Sequence, residues 1–165
     1  MSYVNADGLL VLTNTAEGTP REQGITTEGA KKYFVLDIED MTAVPVSAAA
    51  PQQNDAYIPA GSFITGAFII VDTACTSGGS ATLNVGLQTR AGVAIDADGI
   101  DATVAVADLA ANKAVVCNGA LVGGTATIGA ENGYISFDYD TAAFTAGALK
   151  IVIEYIAVDA GKDTD

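Results

Sequence analysis

The chain has 165 residues and a formal net charge of −13, from 20 acids against 7 bases, and half of its residues are apolar. That acidity argues against a nucleic-acid binder, which needs a basic footprint to displace counterions from phosphates, and against anionic membrane surfaces. With no His, no Trp and only two Cys, a Ser-His-Asp triad is excluded and a catalytic Cys would lack its usual base.

The opening MSYVNADGLL lacks the basic start and apolar stretch of a secretory signal. No run approaches the ~18 apolar residues of a membrane span. Synthesis in a cytoplasm is expected. LLVLT (9–13) reads as a short strand, and 15–31 as a loop with three Gly and a Pro that also holds Arg21. KYFVLDI (32–38) alternates, with Phe34, Leu36 and Ile38 on one side and Tyr33, Val35 and Asp37 on the other, the period of a strand. VPVSAAAPQQNDAY (44–57) reads as a linker or extended arm. These features divide the chain into an N-terminal arm or strand segment (1–56), a sandwich domain (57–158) and a flexible acidic tail (159–165).

The main domain opens with Pro59-Ala60-Gly61, a turn feeding a long strand at 63–73. Both faces of that strand are largely apolar, the mark of a central strand covered on both sides. ATLNVGLQT (81–89) alternates, placing Leu83, Val85 and Leu87 inward and Asn84 and Gln88 outward. The two strands read as a hairpin with a long loop. Residues 90–115 read as mostly irregular, with a short helix over 104–112, and 119–129 as a weak edge strand broken by Gly. YISFDY (134–139) sets Ile135, Phe137 and Tyr139 against Ser136 and Asp138. The last strand, within 149–158, places Leu149, Ile151, Ile153 and Tyr155 inward, with Lys150 and Glu154 on the other face. Short strands at this spacing predict an all-β fold, an antiparallel β-sandwich of the jelly-roll type.

Few residues offer chemistry. Asp96, Asp98 and Asp101, with Gly99, could form a carboxylate loop for Ca²⁺, but the EF-hand positions for Gly and Glu hold Asp101 and Ala107. A solvated turn explains them more simply. Asp138 and Asp140 beside Tyr139 resemble a sugar site, yet solvated strand-end acids suffice. Cys75 and Cys117 form no CxxC motif and read as two free, buried thiols. No cofactor and no catalytic residue is expected. Near the N-terminus, Tyr3, Val4, Leu9 and Leu10 are apolar residues of the kind that order on a partner. Arg21, Lys31 and Lys32 form a basic patch in an acidic chain.

The strings IPAGSFITGAFIIVDTACTSGGSATLNVGL, IDADGID, NGALVGGTATIG and FTAGALKIVIEYI follow in that order over residues 57–158. This layout resembles small virion proteins of tailed bacteriophages, in particular head decoration (cement or knob-like) proteins of marine short-tailed phages. The resemblance implies a non-enzymatic protein on the outer surface of the virion head. Its partners would be the major capsid protein and itself, as a homotrimer, with no nucleic acid and no membrane. Tyr3, Val4 and Arg21 would then lie on the capsid. The alternative is a carbohydrate- or host-surface-binding β module, which would need an exposed aromatic patch around Tyr134, Tyr139 and Phe144.

Overall fold

The computed structural model describes residues 31–46 and 57–157, together with the backbone of two short strands nearer the N-terminus. Those two, β1 (Ser2–Val4) and β2 (Leu10–Leu12), pair antiparallel with position 3 opposite position 11. The other strands are β3 (Lys31–Ile38), β4 (Phe63–Ser77), β5 (Thr82–Gln88), β6 (Ala94–Ala105), β7 (Ala114–Val116), β8 (Tyr134–Asp140) and β9 (Phe144–Ile156). They form two antiparallel sheets, ordered β3-β9-β4-β7 and β6-β5-β8. The fold is an all-β sandwich.

The core lies between the sheets and follows the alternation of the strands. Leu36 and Ile38 of β3, Ile69 and Val71 of β4, and Leu149, Ile151, Ile153 and Tyr155 of β9 point inward from the larger sheet. Leu83, Val85, Leu87, Ile135 and Phe137 meet them from the smaller one. β3 lies within the N-terminal segment of the sequence, yet it pairs with β9 without a break from Lys31↔Ile156 to Ile38↔Leu149 and forms one edge of the larger sheet. After it, Asp40 caps a single 3₁₀ turn (Met41–Ala43) by accepting from the Thr42 amide and hydroxyl at 2.9 and 2.7 Å. The turn tucks Met41 fully into the core.

Several expectations are corrected. β4 and β5 form no hairpin: β4 pairs with β9 and β7, whereas β5 pairs with β6 and β8. The short link between them carries the chain from one sheet to the other. The segment read as irregular contains β6, because it pairs along β5 through a bulged ladder and tertiary pairing overrides turn-forming residues. The expected helix shrinks to one 3₁₀ turn (Val106–Asp108). Its backbone is claimed elsewhere: the Val106 amide donates to Ala81, the Leu109 carbonyl accepts from Cys75, and Asn112 donates to Val71. The stretch 119–129 is a loop, and β7 takes the edge position instead. That loop and Cys117 just before it bridge the sheets, with Cys117 and Gly123 donating to Ala67 and Ile64 of β4, and Gly119 and Leu121 donating to Ile100 and Gly99 of β6.

Gln88 is also corrected, being buried at 2% exposure rather than outward. The register of β5 with β6 jumps from Leu87↔Asp96 to Val85↔Asp101, so β6 bulges between these pairs. A Cβ on Gly86 would stand 2.2 Å from the Ala97 carbonyl. The bulge therefore lies over the outer side of β5, on the face that Gln88 shares. Only a glycine at position 86 lets the two backbones approach so closely.

Candidate interaction surface

The most developed surface feature is the outer face of the larger sheet. Strand register places Val35, Val152, Phe68 and Val116 in one row, running across β3, β9, β4 and β7 in turn. Val35 is 57% exposed, Phe68 39% and Val116 68%; Ile70, one row further on, is 40% exposed. β4 is thus central within its sheet, but its outer face is open among the described residues, in contrast to the double coverage expected of it. Single exposed apolar side chains are ordinary; a contiguous row spanning a sheet marks an interface.

Two polar networks border the row. On one side Glu154 accepts from Lys31 at 2.7 Å, from Tyr33 at 3.0 Å and from Thr65. The Lys31 ammonium, then Thr65 and Tyr33, hold the Glu154 carboxyl down to about 2, and Glu154 in turn raises Lys31. On the other side Lys150 binds Asp72 and lies 3.5 Å from Asp37; Asp72 is the main cause that raises its pKa. The result is an apolar band with a charged border on each side. Its signal in the sequence is the run FITGAFIIV, where apolar residues fill both faces of the strand.

The predicted site residues are dispersed. Asp96, Asp98 and Asp101 sit in β6 rather than in a turn. Burial, then the neighbouring Asp98, raises the pKa of Asp96. Asp101 is buried and accepts from its neighbour Ala102 at 3.0 Å. Burial raises its pKa, offset by the amides of Ala102 and Asn118 and by the Cys117 thiol. No group of three or more His, Cys, Asp or Glu could hold a metal among the described residues. Asp138 and Asp140 both accept from Asn84 Nδ2 at 2.8 Å on the outer side of β8. Asn84 in turn accepts from the amide of Thr103.

The aromatic patch required by a glycan-binding module does not form as expected. Tyr134 and Phe144 are buried and Tyr139 is half-buried. Tyr134 stacks at a tilt on Tyr57, with ring centroids 5.7 Å apart, and the Arg90 guanidinium stands 6.0 Å from its ring. Cys75 and Cys117 are buried and free. Burial pushes the Cys75 thiol up to about 11; burial, then the Asp101 charge, pushes Cys117 up to about 12. Neither is an activated nucleophile. Arg21 lies outside the described residues, as do the side chains of Tyr3 and Val4 and the tail from 158 onward.

No family model and no curated protein matches the chain. Two solved structures are similar in shape. The capsid of Ralstonia phage GP4 contains a chain 16% identical, with a TM-score of 0.49, covering 78% of this chain and 84% of that one. The capsid asymmetric unit of cyanophage Pam1 contains one 22% identical, also at 0.49, covering 87% of this chain and 96% of that one. Likenesses this partial carry no function across.

Proposed function

We propose that this protein is a non-enzymatic structural component of a tailed-phage virion that binds the outside of the head and stabilises it. The observation that carries the structural part of this reading is the charge-bordered apolar band, a contact face of the kind that assembling proteins present. The sequence resemblance over 57–158 supplies the particular role, that of a head decoration or cement protein. Its partner is then the major capsid protein, and its assembly a homotrimer at threefold or quasi-threefold junctions. Symmetry there lets one weak contact act three times over. The protein is made in the host cytoplasm and joins a preassembled shell, so it folds first and stays dispersed, which its net charge favours.

In this reading the N-terminal segment, with Tyr3, Val4 and Arg21, lies on the major capsid protein, while the sandwich stands outward. Deletion of residues 2–8 tests that division of labour. Head occupancy is expected to fall while the sandwich retains its melting temperature. Full occupancy by the deletion variant would overturn the arm contact.

A further inference from the structure

The apolar band has an arrangement that fits one occupant in particular. We infer that it is a twofold interface to a second copy of this chain, joined face to face across the outer side of the larger sheet. The inference adds to the reading above a contact between copies, and its primary test, association in solution, needs no heads.

Strand register makes the band self-complementary. Let a twofold axis run along the row Val35, Val152, Phe68 and Val116, parallel to the plane of the sheet. Each residue of the row then meets its own counterpart, and every residue two positions before it faces the residue two positions after it in the other copy. Glu154 faces Lys150 on β9, Tyr33 faces Asp37 on β3, and Gly66 faces Ile70 on β4. The first is an opposite-charge pair and occurs twice by symmetry. The second sets against a carboxylate a phenol whose hydroxyl already donates to Glu154 within its own copy. The third places a protruding side chain over a glycine that bears none; a Cβ there would meet only the Phe68 ring, at 3.8 Å. Sheets packed face to face stand ~10 Å apart, so outward side chains from the two copies interdigitate. A self-complementary patch of this kind is what an isologous contact requires.

Charge favours this face over the opposite one. Two copies at −13 each repel. The outer side of the smaller sheet carries Asp138 and Asp140 around Asn84, and a like contact there would oppose acids to acids. Two of the seven bases, Lys31 and Lys150, stand at the border of this outer face beside Glu154, Asp37 and Asp72. Its border therefore comes close to local balance, and joining two copies there leaves the acidic sheets on the outside. A trimer uses other surfaces, so this contact would link neighbouring trimers on a head, or pair them in solution.

Sedimentation velocity on the full-length protein over a range of concentrations tests this. The wild type is expected to reach an even number of chains, and Phe68→Asp or Val116→Asp to halve that number without unfolding the sandwich. Lys150→Glu and Glu154→Lys, each alone, oppose like charges across the axis and are expected to weaken association at least tenfold. An equimolar mixture of the two restores both opposite-charge pairs and should associate as well as the wild type. A wild type that never reaches an even number of chains overturns the inference, as does indifference to Phe68→Asp and Val116→Asp or a mixture no stronger than its components. If the wild type stays odd-numbered and Phe68→Asp abolishes head binding, the band belongs to the capsid protein. If pairing holds but head binding fails, the virion assignment falls and the interface stands.

Discussion

Gly86 shows how much a single missing methyl controls. The bulge of β6 rests on it, and an added Cβ would lie 2.2 Å from backbone atoms that have no rotamer to move. Gly86→Ala is expected to cost about 2–3 kcal/mol or more, read from denaturant unfolding. Gly78→Ala, with nothing within 4 Å of its Cβ, should change stability by less than about 0.5 kcal/mol. Titration gives two more residue-scale predictions. Glu154 is held at about 2 in the fold, below its unfolded value of about 4.3. Its contribution is present above that unfolded value and is lost as pH falls towards 2. Glu154→Gln should therefore flatten the fall in melting temperature between about pH 5 and 2. The thiols run the other way. With folded values of about 11 and 12 for Cys75 and Cys117, their stabilisation is intact below about 9 and is lost as pH rises through the folded values. Both should react with a thiol reagent at pH 8 only as fast as the sandwich opens. Rapid labelling of either in the folded protein would contradict their burial.

At the scale of elements, legibility followed coverage. β3 and β9 each bury one face, so their inward sets, Leu36 and Ile38 or Leu149 to Tyr155, appear in the sequence as clean alternation. β5 alternates only until the β6 bulge covers its outer side, which is why Gln88 misleads. β6 hides behind Asp and Gly because its ladder comes from a partner strand, and local composition carries no record of that. The β4–β5 pairing failed for a topological reason: short links that cross between sheets look like hairpin turns in sequence. The interaction surface was half visible. FITGAFIIV shows apolar residues on both faces, but only register reveals that the outer ones line up with Val35, Val152 and Val116. The energetics separate the two faces. Ile151→Ala, in the core, should destabilise the monomeric sandwich by about 3–4 kcal/mol. Val35→Ala, on the band, should change it by no more than about 0.5 kcal/mol. A large loss at Val35 would mean that the band is already filled within one chain.

At the scale of the whole molecule, a two-sheet sandwich, an exposed apolar band and a net charge of −13 occur in one chain. No His stands ready to move a proton near neutral pH; Asp96, Asp98 and Asp101, the candidates for a cation, lie within β6, and Asp138 and Asp140, the candidates for a sugar, accept from Asn84 across the β5–β8 ladder. The proposed attachment to a phage head is tested most directly by co-sedimentation of the purified protein with mature tailed-phage heads that lack it. Saturable binding at a fixed ratio to the major capsid protein is expected, with the ratio reporting which symmetry positions are filled. A folded, soluble protein that stays in the supernatant at every concentration would contradict it.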